Sequence, residues 1–311
     1  MKSLRQGIDE YLEYRSRLGF QLTFAKNFLR NFASFMEENQ IKHITTEFAL
    51  AFATINTKAQ SISWAKRLGI IRRFAIYWAT VDTKTEIPPK NLLSSAYERR
   101  NPYIYTDEEI LELLNYTDRS ENPFDQYVYF ILFGLLAVTG MRISEALALN
   151  YNNIDLKNGT IMICQSKFRK SRYIPIHQTT VKILKDFNEY RNHYFPHPIT
   201  SKFLVNHKGV ELKKRTVQDA FQRRLKKIGL TKSVEWKNKP KIMGFRHTFA
   251  INTLLRWYKQ DVASINSHIP LLSTYLGHVK PSNTYWYLSA TPELLKLVVS
   301  RCKKHKKENK S

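Results

Sequence analysis

Cysteine is nearly missing from this chain: among 311 residues there are two, Cys164 and Cys302, far apart. That excludes a disulfide framework and a thiolate metal site, and it suits a reducing compartment. Long apolar runs are missing as well. The longest, Tyr127 to Val138, has 12 residues, whereas a helix needs about 20 to cross a bilayer, so it is read as a buried helix. The opening M-K-S-L-R-Q-G-I-D-E lacks the apolar core of a signal peptide. No repeat or low-complexity stretch is present. Acidic residues are scarce, with 26 Asp and Glu against 50 Lys and Arg.

What is present is an ordinary globular composition, 43% hydrophobic and 24% charged, with an unusual charge. A net charge of +24 and a pI near 9.9 say little about fold but call for a polyanionic partner. The basic residues are spread through folded-looking segments rather than gathered on one amphipathic helix, which favours nucleic acid over an anionic membrane. The length predicts about two domains.

Apolar spacing predicts helices throughout the first 80 or so residues. One runs from Leu4 to Leu18 on Leu4, Ile8, Leu12 and Leu18, with Gly19 as its stop. A second spans Phe24 to Glu38 on Phe24, Phe28, Leu29, Phe32, Phe35 and Met36. A third is capped by Thr45 or Thr46 and ends near Ile55. A fourth opens at Ser61 or Ser63 and carries the stripe Trp64, Leu68, Ile71, Phe74, Ala75 and Trp78; between these lie four cations and no anion, Lys66, Arg67, Arg72 and Arg73. A solvated helix face is the plain reading of those cations, and a phosphate-facing surface is the sharper one. Pro88, Pro89 and Pro102 then mark a linker. The domains expected are 1–82, a linker 83–104, a second domain 105–300 and a basic tail 301–311.

Thr106-Asp-Glu-Glu109 is a capping box, and Pro123 precedes the buried helix ending at Thr139-Gly140. The period then changes to two: Thr160–Cys164 and Arg172–Ile176 are β-like, joined by the turn S-K-F-R-K-S. Helices resume at Thr179–Tyr190, Lys214–Ile228 and Met243–Trp257, and in short pieces from Pro270 onward. The fold class expected is mainly α with one small antiparallel β-hairpin or sheet.

The distinctive residues form an ordered set: Thr139-Gly-Met-Arg142-Ile-Ser-Glu145, the turn containing Lys167 and Lys170, Gly244-Phe-Arg246-His247-Thr-Phe-Ala250, Leu276-Gly-His278, and Tyr287 nine residues after that histidine. Each piece alone is weak, because an arginine at a helix start or a Tyr-Trp-Tyr cluster is more often structural. Together they suit transfer at a phosphodiester. Two arginines can grip non-bridging oxygens with fixed charge. A lysine on a turn can protonate a departing 5′-oxygen, and a histidine can donate to the phosphate or take a proton. A tyrosine can attack and conserve the bond energy covalently, with no metal or cofactor needed. His193 and His197 have a ligand-like spacing, but Pro196 breaks the helix that would align them, and no metal site is expected.

T-G-M-R-I-S-E, R-H-T-F-A, L-G-H and the later tyrosine resemble the tyrosine recombinases, the phage-integrase family with its Xer-like members, over roughly Thr106 to Ser300. The resemblance implies a helical, SAM-like core-DNA-binding domain followed by a tyrosine-recombinase catalytic domain. It assigns Arg142 and Arg246 as the catalytic arginines, Lys167 as the turn lysine, His278 as the later histidine and Tyr287 as the nucleophile. Lys167 lies eight residues before Pro175, as the family's lysine usually does; Lys170 is the alternative, and Tyr285 is the alternative nucleophile. Glu145 matches an acidic position read as structural. Lys170 and Arg172, with the cations of the fourth helix, are candidate DNA contacts. The implied reaction joins DNA to Tyr287 through a 3′-phosphate and proceeds in a homotetramer on two double-stranded DNA sites. Other recombinases of the same element are candidate partners, no membrane is involved, and the expected location is cytoplasmic, at the nucleoid. A mobile-element integrase is the expected role.

One position departs from the pattern. The family usually reads H-x-x-R, and here Met243 stands three before Arg246. Residues i and i+3 share a helix face, yet a thioether cannot relay a proton. His247 is expected to diverge from that face and to be structural, leaving Tyr287 to rely on His278 or water. Two rivals follow: a topoisomerase-like nicking-closing enzyme, and a catalytically weakened DNA-binding regulator.

Overall fold

The computed structural model describes residues 2–20, 22–94, 101–164, 171–231, 239–260 and 265–308. The chain divides into two compact units, Met1–Arg99 and Arg100–Ser311.

The first unit holds four helices: α1 (Leu4–Arg17), α2 (Thr23–Glu38), α3 (Thr46–Thr54) and α4 (Ser61–Trp78). Ser3 and Gln6 form a capping box at the start of α1, and Thr45 caps α3 through the Phe48 amide. α4 touches the other three. Its Leu68, Ile71, Phe74 and Trp78 are buried with Ile8, Leu29, Phe32 and Phe52. Two expected stripe members are exposed instead. Leu18 lies past the last turn of α1, and Phe24, in the first turn of α2, only stacks on Phe28. Part of the stretch 83–104, read as linker, is held by this unit: Thr85 is buried, and the Glu86 carboxylate accepts from the Thr46 amide at 2.8 Å. Residues 95–100 of that stretch lie outside the described residues.

The second unit contains α5 (Asp107–Asn115), α6 (Pro123–Thr139), α7 (Ile143–Leu147), β1 (Ile154–Asp155), β2 (Thr160–Ile163), β3 (Arg172–Pro175), α8 (Gln178–Tyr194), α9 (Lys214–Lys227), α10 (Met243–Lys259), α11 (Ile265–Leu276), α12 (Ser282–Tyr285), a 3-10 turn Trp286–Ser289 and α13 (Pro292–Glu308). Thr106 and Glu109 form the expected capping box of α5. The strands make an antiparallel sheet in the order β1-β2-β3, with Ile161 opposite Ile174. β1 has only two residues and leaves no period to read. α11 runs through Pro270 as one helix rather than starting there. α13 continues to Glu308, through the stretch read as a mobile basic tail.

α10 lies between two cores. On one side Phe245 meets Tyr105, Phe133 and Phe221. On the other, Ala250, Ile251 and Leu254 pack with Ile269, Leu272, Leu276, Tyr287 and Leu294. A helix gripped on both sides has little freedom to rotate, so the side chains of its first turn are aimed by packing. Among the described residues no helix is long and apolar enough to cross a membrane.

Gly7 has its own packing role. A Cβ there would lie 2.0 Å from the Trp78 ring, so α1 approaches α4 only because the side chain is missing. Gly7→Ala is expected to destabilise the first unit by about 1–3 kcal/mol, the usual cost of overpacking. Chemical denaturation checks this, and an unchanged midpoint would contradict the packing described.

Candidate active site

The site is built on the C-terminal end of α11. The last carbonyls of a helix have no intrahelical partner and carry the negative end of its dipole. Here three consecutive carbonyls each receive one arginine. Arg172 Nε donates to the Tyr275 carbonyl at 2.6 Å, Arg246 Nη2 to that of Leu276 at 2.6 Å, and Arg142 Nη2 to that of Gly277 at 3.3 Å. Gly277 turns the chain in the left-handed region, φ +68°, and an added Cβ would fall 2.9 Å from Arg172 Nη1. The Leu-Gly-His sequence is thus a helix terminus whose glycine makes room for a guanidinium.

The three arginines arrive from separate elements. Arg142 is the N-cap of α7, immediately after the Gly140 turn that ends α6 at φ +61°. Arg246 is in the first turn of α10 and is 3% exposed; its Nη1 also donates to the Gly140 carbonyl at 2.9 Å. Arg172 opens β3. One carboxylate, Glu145, joins two of them. It accepts from Arg142 Nη1 at 2.8 Å and from the Arg142 amide at 2.9 Å. It also takes a two-pronged contact from Arg172, at 3.2 and 2.8 Å. Burial alone would raise the Glu145 carboxyl, but hydrogen bonds and charge from Arg172 and Arg142 prevail and hold it below the usual glutamate range. Burial, and after it the charge of Arg142, pulls the Arg246 guanidinium down to about 10, so it remains a cation at neutral pH.

Tyr287 sits in the 3-10 turn and is 2% exposed, whereas Tyr285 is 45% exposed. Its hydroxyl lies 3.0 Å from His247 Nδ1. The His278 ring lies nearly parallel to that of Tyr287, with centroids 6.3 Å apart. His278 Nδ1 is 2.7 Å from Oγ1 of the fully buried Thr284. Trp286 packs edge-on against His247.

Of the residues singled out from the sequence, Arg142, Arg246, His278 and Tyr287 are brought together. Lys167 and Lys170, with the turn 165–170, lie outside the described residues. Arg172, read as a candidate DNA contact, has a side chain 9% exposed and bound to Glu145, which places it in the arginine cluster beside Arg142. Met243 is 44% exposed. His247, expected to point elsewhere, meets Tyr287. On α4, Lys66 and Arg73 are exposed, and Arg67 and Arg72 are half-buried. Thr284 and the three carbonyls gave no sequence signal beyond Gly277 itself.

Residues 104–293 match the Phage integrase family. The integrase/recombinase y4rB of Sinorhizobium fredii is 38% identical over 312 residues, covering 97% of this chain and 97% of the relative. The tyrosine recombinase XerC of Leptospira interrogans is 24% identical, covering 89% of this chain and 85% of the relative. Among solved structures, the Tn1549 transposon integrase in complex with transposon right-end DNA superposes with a TM-score of 0.67 at 16% identity, over 97% of this chain and 99% of that one. The XerH recombinase bound to its difH substrate after cleavage gives 0.61 at 20% identity, over 84% and 73%.

The depressed Glu145 pKa has a stability consequence. A group whose folded-state pKa lies below its unfolded value stabilises fully above the ordinary value of 4.5, and that stabilisation is lost as pH falls through the lowered value. Glu145→Gln is therefore expected to cost about 3 kcal/mol at pH 7, from leaving buried cations uncompensated. The gap to wild type should close below the ordinary value. Thermal unfolding at both pH values checks this, and a gap independent of pH would contradict it. The family match over most of the second unit, together with a relative 38% identical along nearly the whole chain, establishes that the chain belongs to the phage integrase family, the tyrosine recombinases.

Proposed function

We propose that the chain cuts and rejoins double-stranded DNA at specific sites through a 3′-phosphotyrosyl intermediate, as the integrase of a mobile element. The observation that carries this reading is the meeting of Arg142 and Arg246 on the end of α11, with the ring of His278, the residue after Gly277, lying against that of Tyr287. In the proposed reaction the scissile phosphate lies against Arg142 and Arg246, whose fixed charge stabilises the pentacoordinate transition state. Tyr287 attacks phosphorus, Lys167 protonates the departing 5′-oxygen, and His278 donates to a non-bridging oxygen. The released 5′-hydroxyl of one duplex then attacks the phosphotyrosine of another, within a homotetramer holding two sites. The named relatives, integrases and recombinases, and the transposon integrase with its DNA support this reading.

The excess of basic residues supports DNA as the partner, and Lys66, Arg67, Arg72 and Arg73 are proposed to face the DNA backbone from the first unit. Replacing Lys66 and Arg73 by alanine is expected to weaken binding uniformly across sequences and to reduce the salt slope by about one for each phosphate no longer neutralised. Titrations at several salt concentrations check this; an unchanged slope would place these cations away from DNA.

The central test uses a nicked duplex carrying the DNA that flanks the gene, with covalent adducts separated on a denaturing gel. Wild type and Tyr285→Phe are expected to form the adduct, and Tyr287→Phe to form none. An adduct lost only in Tyr285→Phe would name the other tyrosine. No wild-type adduct would favour a DNA-binding regulator, and relaxation of any supercoiled plasmid a nicking-closing enzyme.

A further inference from the structure

The remaining chemical question is where the Tyr287 proton goes. Met243, at the position that would face the phosphate beside Arg246, offers no proton acceptor. His278 Nδ1 is directed at Thr284 Oγ1. His247 Nδ1 is 3.0 Å from the Tyr287 hydroxyl, within the reach required of a general base. We propose that His247 is the residue that accepts the proton of Tyr287 during strand cleavage and returns it during rejoining, a role resting on the recombinase reading above.

The helix geometry explains why this histidine is in reach. Consecutive residues of α10 point about 100° apart, so Arg246 and His247 serve different directions. Arg246 faces the carbonyls of Gly140 and Leu276, while His247 faces the 3-10 turn that carries Tyr287. Trp286, edge-on to the imidazole with centroids 5.9 Å apart, holds the ring from the same turn, so base and nucleophile are fixed to one another. Among the described residues, the titratable and charged groups near the pair include His278 against the tyrosine ring and the Arg246 guanidinium.

In cleavage the Tyr287 O–H bond breaks with its proton passing to His247 Nδ1, and the phenolic oxygen bonds to phosphorus. The P–O5′ bond breaks, and the electron pair leaves on O5′, which takes a proton from the general acid assigned to Lys167. The imidazolium forms near guanidinium groups, an unfavourable neighbourhood. The extra negative charge gathering on the phosphorane oxygens offsets it in the same step, so the proton is accepted when the phosphate is in place. In the reverse step the 5′-hydroxyl gives its proton back to the group assigned to Lys167 and bonds to phosphorus, the bond from phosphorus to the Tyr287 oxygen breaks, and the imidazolium returns its proton to the leaving phenolate.

His247→Asn tests this, because the asparagine amide oxygen keeps a hydrogen-bond acceptor near the Nδ1 position but takes no proton. Adduct formation in a single turnover on the nicked flanking duplex is expected to slow about 100-fold at pH 7. The deficit should shrink on raising the pH to about 9, as hydroxide takes over. Melting temperature and DNA affinity should stay at wild-type values. A rate within about threefold of wild type at pH 7, or a deficit equal at both pH values, would overturn the assignment. Met243→His, at an exposed position, gives a second reading in a chain that keeps His247. A gain of no more than about threefold is expected, and a gain of tenfold or more, on the scale of a restored general base, would mean that the wild-type site lacks one. A wild-type adduct with an unimpaired His247→Asn defeats this proposal alone, whereas no wild-type adduct defeats the recombinase reading and this one together.

Discussion

The site depends on the exposed carbonyls at the end of one helix. α11 stops at Leu276, and Gly277 turns the chain away in a conformation that L side chains rarely adopt. Three carbonyls with no partner inside the helix are left facing Arg172, Arg246 and Arg142. Each arginine comes from a different part of the second unit, and the helix end brings them to one place. A buried guanidinium without acceptors would be costly; acceptors in a fixed row set where each fork points.

Charge gives that arrangement its direction. Two of the three guanidinium groups, those of Arg142 and Arg172, share one carboxylate, Glu145, which has no hydrogen bond to Arg246 among the described residues. Arg246 is held by carbonyl dipoles, with a second cation near enough to lower its pKa. A cluster of this kind carries excess positive charge in a poorly solvated place, and a phosphate would relieve it. In the proposed reaction the DNA supplies that anion, and the transition state supplies more negative charge than the ground state, which is the condition for electrostatic catalysis.

Much of this was readable in the sequence. Helical periods found α4, α6 and α10, the capping box found the start of α5, and the spacing of arginines, histidine and tyrosine found the family. What escaped was set by the meeting of distant residues. Arg172 looked like one more cation on a basic hairpin, and nothing local says that Glu145 would take it. On its own helix His247 points away from Arg246, and the family resemblance makes it structural; Tyr287 approaches from another element, on the side His247 faces. Leu18 and Phe24 fit a helical stripe but fall at helix ends, beyond the reach of the core. The basic stretch after Ser300 looked like a tail because charge hid the continuity of α13 through Glu308.

Whether the arginines on the end of α11 serve the charge of a phosphate can be tested within a single variant. Arg246→Ala would be given two nicked duplexes, one with an ordinary scissile phosphodiester and one with a neutral methylphosphonate at that position, and the rate of attachment to Tyr287 compared with wild type on each. Any fraction lost to unfolding cancels in the comparison. If Arg246 stabilises charge on the non-bridging oxygens, the variant should slow about 100-fold on the phosphodiester and far less on the methylphosphonate. An equal loss on both substrates would contradict the account and leave Arg246 a residue that only holds the fold together.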